Sequence, residues 1–336
     1  KWQLPIVKHS ILKNIIESNE WNSQLVKLSN LRGDVKTTPL YTAPGDELLI
    51  SNARPHWDGS RIAFTMGSHL EPMGLFELDV DSGKTRRLSP DTKDHFVDSC
   101  YLPDGNVVVM STAIMTALPC EGGSHLLANM YLLNPDTGKL RQLGIDQENS
   151  YHATVQEDGR VMFVRYEYAD TQHYVTRVLM NMNPDGSNQR SIYGSNSVWP
   201  TALFYPQQVP NHPNLFSGVV AGHHGPSHMG RLGLFDTSKG REEADGAVQF
   251  IGHKDEPVEA VMVDRLYATD FPKHMYSVPL DPEYYLSVMK PAELEPWGLY
   301  LVDRFDNTTL IHQPEDEFLA WPQVMTKKEM PPVIPS

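Results

Sequence analysis

Polar turns and short apolar runs alternate along most of the chain in a repeating order. Residues 53–68 (ARPHWDGSRIAFTMGS) and 74–89 (GLFELDVDSGKTRRLS) set the grammar. Residues 98–113 (DSCYLPDGNVVVMSTA) with 129–144 repeat it, and so do residues 152–168 (HATVQEDGRVMFVRYEY) with 178–194. Each unit has an Asp-Gly turn, Asp58-Gly59, Asp104-Gly105 or Asp158-Gly159, and then an apolar strand. A second strand follows, then a second turn (Asp81 to Gly83, Asp136 to Gly138, Asp185-Gly186) and a polar outer strand. Asp-Gly supplies the positive φ angles that a tight hairpin requires. The runs between turns are short and rich in β-branched and aromatic residues, which suits strands.

The first turns recur every 45 to 55 residues or so, the length of one four-stranded blade. A lone blade leaves both faces wet, whereas a closed ring of blades buries the faces and hides the edges. The pattern therefore predicts an all-β fold, a β-propeller of six blades within a range of five to seven. Two less regular units extend it, residues 199–252 and 266–312. The chain ends are expected to share the last blade. EFLAWPQVM (317–325) would supply inner strands, and SQLVKLSN (23–30) and TTPLYTAP (37–44) outer ones. Residues 1–20 form an extension whose segment 8–20 has a weak helical period, and residues 21–336 form a single propeller. EMPPVIPS (329–336) reads as an exit toward a further domain, and a start at Lys1 reads as a processed product.

A formal net charge of −14 disfavours phosphate backbones, so nucleic acid is not an expected partner. Apolar runs stop short of the 18 residues that a membrane-spanning helix needs. The two cysteines, Cys100 and Cys120, suit one disulfide in an oxidising compartment, the other reading being two buried thiols. No CxxC or CxxCH occurs, which excludes covalent c-type haem and Cys-rich zinc sites.

The densest chemistry is AGHHGPSHMG (221–230), with His223, His224 and His228. Imidazole is the commonest transition-metal ligand, and flanking glycines let backbone approach a ligand. The same three residues also read as a loop whose rings satisfy backbone groups. A metal there, Zn or Ca, would need a remote residue such as His152 to complete its set. His69, His125 and His173 show no spacing that links them. GREEADG (240–246) and DVDSG (79–83) carry carboxylates that could meet Ca²⁺ but fit hairpin turns better. No GxSxG elbow, P-loop or dinucleotide-binding glycine pattern is present.

Longer strings carry a family resemblance. NPDGSNQ (183–189), YGSNSVWPTALFYP (193–206) and GHHGPSHMGRLGLFDTSKGREEADG (222–246) resemble the middle propeller domain of the hydrazine synthase alpha subunit family. CYLPDGNVVVMSTA (100–113), PCEGG (119–123), WGLYLVDRFDN (297–307) and PPVIP (331–335) fit the same pattern, so the resemblance spans residues 50 to 335. The Asp-Gly repeats also look like the PD40 repeats of TolB. The resemblance implies a six-bladed propeller in an exported protein. It also implies that the loop with His223 and His224 lies where related chains place cofactor ligands. Catalysis in that family depends on covalent haem, and the attachment motif is absent here. The function expected is a non-catalytic, extracytoplasmic binding or scaffold module with a protein or small-molecule ligand at a face or the channel. The alternatives are a metal-dependent enzyme or redox protein using the His223–His228 loop, and a glycan-active lyase or hydrolase.

Overall fold

The computed structural model describes residues 20–335 except 69, 120, 121, 124, 168–176, 196 and 225–227. The possible helix at the N-terminus, His69, His173 and Cys120 thus lie outside the described residues. The described residues contain no α-helix, and none of their segments forms a helix long and apolar enough to cross a membrane.

The fold is a β-propeller. A two-stranded sheet, β1 (Gln24–Ser29) and β2 (Lys36–Thr42), precedes five four-stranded blades. Blade one holds β3 (Leu49–Pro55), β4 (Arg61–Gly67), β5 (Gly74–Asp79) and β6 (Thr85–Arg87). Blade two holds β7 (Phe96–Tyr101), β8 (Val107–Ser111), β9 (Asn129–Leu133) and β10 (Leu140–Gln142). Blade three holds β11 (Ser150–Val155), β12 (Val161–Tyr166), β13 (Arg177–Met182) and β14 (Arg190–Tyr193). Blade four holds β15 (Ala202–Gln208), β16 (Leu215–Ala221), β17 (Arg231–Asp236) and β18 (Ala247–Phe250). Blade five holds β19 (Lys273–Pro279), β20 (Tyr284–Lys290), β21 (Gly298–Asp303) and β22 (Thr308–His312). Every blade is an antiparallel meander in sequence order.

The three repeats read from the sequence are blades one to three, and their turn glycines have positive φ, for example Gly59 at 74° and Gly159 at 87°. Middle strands such as β8 and β12 are almost wholly buried because a neighbouring blade covers each face. The apolar clusters accordingly lie between blades. Ala63 and Leu75 of blade one pack with Val107 and Val109 of blade two. Phe204 and Leu232 of blade four pack with Met275 and Val288 of blade five. Leu25 of β1 packs with Phe64 and Leu78, which seats the two-stranded sheet against blade one. Leu28 packs at the blade-five cluster that includes Trp321. The sheet therefore stands between the last blade and the first, as outer strands of a sixth sector.

The inner part of that sector differs from expectation. Residues 313–335 form no strand. The Pro-rich segment packs on the body as far as Ile334. The Lys328 N–H donates to the Trp57 carbonyl at 2.9 Å, and Pro332 and Ile334 lie on Gly159 of blade three. The tail thus crosses the end of the ring where the turns between first and second strands lie, here called the hairpin end. The opposite end, carrying the loops between second and third strands, is called the loop end.

The axial cluster, a candidate ligand site

Each innermost strand carries one non-glycine residue in the left-handed region: Asn52, Asp98, His152, Tyr205 and Tyr276, with φ between 46° and 56°. Each stands at a break in the register with the second strand. A bulge of this kind kinks the strand and re-aims side chains. Trp321, with φ 54°, repeats the feature in the tail and takes the sixth place.

These kinks converge on the axis. His152 meets Tyr205 with ring centroids 4.2 Å apart, Tyr205 meets Tyr276 at 4.7 Å, and Tyr276 meets Trp321 at 4.3 Å. The Arg54 guanidinium lies 5.7 Å from the Trp321 ring and 3.6 Å from the Asp98 carboxylate. Asp98 accepts the backbone N–H of His152, whose Nδ1 is 3.5 Å away. One residue from each of six sectors thus closes a circuit, and all six are buried. Tyr205 also touches Trp321 across the middle at 5.6 Å, so the axis is filled at this level.

Burial alone would raise the Asp98 pKa, but hydrogen bonds from His152 and the Arg54 charge hold it lowered. Burial pulls His152 below its ordinary value against the pull of Asp98. The circuit therefore contains one guanidinium, one carboxylate and a neutral imidazole near pH 7. Burial raises both phenols, Tyr205 further through its neighbour Tyr276. The two hydroxyls perturb each other, yet neither makes a hydrogen bond of ordinary geometry among the described residues. Arg54 Nε and Trp321 Nε1 are likewise buried without a partner there.

Cavities open from this circuit toward the hairpin end. The smaller, of about 10 Å³, is walled by Tyr205, Tyr276 and Trp321. The larger, of about 120 Å³, is walled by Trp57, Tyr101, Thr154 and the tail residues Thr326 and Lys328. Arg54, Gln207 and Gln323 border both. Cys100 also borders the larger one, its thiol pushed up to about 12 by burial. Among the described residues it has no sulfur partner.

The histidines of the glycine-rich loop divide between two places. His223 and His224 pack edge to face at 4.4 Å at the loop end. His224 Nδ1 lies 2.9 Å from both Asp264 oxygens, and His223 Nδ1 faces the Arg177 guanidinium. His228 instead stacks on Phe204 at 4.1 Å and reaches His152 at 5.7 Å. His152 thus lies at the axis, joined by His228 but not by the other two loop histidines. A guanidinium beside His223 opposes a cation there. Among the described residues no three His, Cys, Asp or Glu side chains gather at metal-binding range. GREEADG forms the turn between β17 and β18, where Glu243 accepts from the Val198 N–H and the Tyr193 hydroxyl.

Arg54, Asp98, Tyr205, Tyr276 and Trp321 were not singled out by motif reading. A signal existed for the first three blades. The kinked residue stands six positions before the turn aspartate in each, Asn52 before Asp58, Asp98 before Asp104 and His152 before Asp158.

No protein-family model matches the chain, and no curated protein matches it. Solved structures do. Hydrazine synthase from Kuenenia stuttgartiensis superposes with a TM-score of 0.61 at 13% identity over 83% of this chain and 40% of that one. The chain therefore spans about two fifths of that protein's length. A putative TolB from Agrobacterium tumefaciens superposes with a TM-score of 0.53 at 12% identity over 82% of this chain and 84% of that one. The tricorn protease gives 0.50 at 14% identity over 81% of this chain and 23% of that one. At these identities the likeness is one of fold, the fold of hydrazine synthase and TolB-like propellers.

Proposed function

We propose that the chain is a non-catalytic, extracytoplasmic binding module whose ligand enters the axial funnel at the hairpin end. The observation that carries this reading is the pair of joined cavities under a closed axial circuit, with buried donors facing them. Concave, largely preformed sites with a few convergent polar groups are the usual form of small-ligand sites. The groups at the cavity also suit holding more than chemistry. A guanidinium, an indole N–H and two phenols of raised pKa do not exchange protons near neutrality. The extracytoplasmic location rests on the resemblance to exported propellers, and a Cys100–Cys120 bridge would accord with it.

The test is a fragment screen by saturation-transfer NMR on the wild type and on Thr154→Trp, which places an indole in the larger cavity. The expected result is a set of fragments that bind the wild type and lose binding in the variant. A screen in which no fragment depends on an open cavity would overturn the reading.

A further inference from the structure

We propose that the funnel takes a carboxylate-bearing ligand with a flat apolar body. This deepens the reading just given and rests on it.

The chain carries 42 acidic and 28 basic side chains, so a typical stretch of its surface is acidic. The funnel is not. Its walls include Arg54, Lys328 and His56 and no aspartate or glutamate. A cavity of one sign with low-dielectric walls concentrates ions of the other sign. Three carboxylates stand behind the walls: Asp98 at 3.6 Å from Arg54, where it offsets part of that charge and holds the guanidinium in place, Asp58 at 2.8 Å from His56, and Glu77 on the Tyr101 hydroxyl. Beside the smaller cavity Arg54 Nε and the Trp321 indole N–H are buried with no partner among the described residues. A buried donor left unmade costs free energy, so the two together call for an acceptor. Water can serve each singly. One carboxylate, with two oxygens and about four lone-pair sites, can serve both at once and also meets the positive charge.

The rest of the funnel fits the rest of such a ligand. Below the donors the space widens to about 120 Å³ beside Trp57 and Tyr101, whose rings are in tilted contact at 6.4 Å. The Tyr101 hydroxyl is already given to Glu77 at 2.9 Å, so its ring is what the cavity meets. Lys328 stands exposed at the rim, where it favours the approach of an anion.

The probes are indole-3-acetate and its neutral amide, titrated calorimetrically at pH 7 in low and moderate salt. The acid should bind at least tenfold tighter than the amide, and added salt should narrow the gap. Arg54→Gln should abolish the preference. Lys328→Glu, at an exposed position that does not threaten folding, should weaken the acid several-fold and leave the amide unchanged. A tripeptide ending in tryptophan, with a free or an amidated C-terminus, separates the sources. Preference for the free C-terminus with tighter binding than indole-3-acetate assigns the carboxylate to a chain end, and the reverse assigns it to a small acid. Equal affinity for acid and amide, lost in Thr154→Trp, overturns the charge proposal and leaves the binding module standing. Acid affinity unchanged in both charge variants, or no binding of the acid at all, also overturns the charge proposal. An empty fragment screen in addition removes the binding module.

Discussion

The two ends of the propeller axis are built from similar residue types set in different surroundings. At the loop end the charges are occupied. Arg177 lies 4.1 Å from the Tyr166 ring and against His223, and His224 is matched to Asp264. Lys273 gives its ammonium to the carbonyls of Ala268 at 2.7 Å and Asp270 at 2.9 Å. At the hairpin end Arg54 is held by Asp98 and the Tyr205 and Tyr276 hydroxyls adjoin each other, while Arg54 Nε and Trp321 Nε1 have no partner among the described residues and their side chains wall a cavity. Satisfied polar networks rigidify a structure, whereas buried donors left facing a cavity are an invitation to a ligand. The density of histidine in the sequence pointed to the first end, and the geometry favours the second.

That contrast can be broken in several ways, and the largest effect belongs to Trp321. Trp321→Ala removes the sixth member of the circuit, and truncation of a buried tryptophan costs about 3–5 kcal/mol. Urea unfolding followed by circular dichroism should show the midpoint fall accordingly. A loss under 1 kcal/mol would mean that the tail does not close the ring. Asp98→Ala leaves Arg54 buried without its counter-charge, a loss of about 3 kcal/mol. The double variant with Arg54→Met should recover part of it. If the double variant is as unstable as the sum of the two single ones, the pair is not coupled.

Acid should weaken the fold next. His274, on β19 near the loop end, donates to or accepts from Ser287 at 2.9 Å, and burial pulls its pKa down to about 3. The unfolded imidazole takes a proton near 6.5. A lowered histidine pKa gives a contribution that is complete above about 6.5 and is lost as pH falls toward 3. The slope is about 1.4 kcal/mol per pH unit for each such group, and His152, whose pKa is also lowered, adds to it. His274→Gln should flatten the stability profile between pH 6 and 4 by about one proton. Parallel profiles for the two proteins would sink the assignment. The smallest effect should be that of His224→Ala, which cuts an exposed pair worth about 0–1 kcal/mol. A larger loss would show that the loop end depends on its histidines more than its exposure implies.

Much of the fold was legible because its signals are local. An Asp-Gly turn must sit between two strands wherever it occurs, so three turns at one spacing gave three blades. The same spacing, six residues before the turn aspartate, marks His152 as the kinked residue of blade three. It failed beyond blade three, where Tyr205 and Tyr276 are separated by the long connection 251–272 and no turn aspartate stands at the regular distance. The meeting of Arg54 with Trp321 was not legible at all, since nothing local to either residue encodes the other. The histidine loop misled for the converse reason. His224 and His228 are neighbours in sequence, yet His224 pairs with Asp264 while His228, at a positive φ of 63°, stacks on Phe204 toward the axis.

The place of Trp321 has a consequence for how the protein comes into being. Its contact with Arg54 joins the first blade to the final tenth of the chain. At synthesis rates of about 5–20 residues per second, the first blades wait on the order of tens of seconds for the residue that completes their circle. During that interval the nascent chain presents open blade flanks, which are the surfaces that chaperones shield and that seed aggregation.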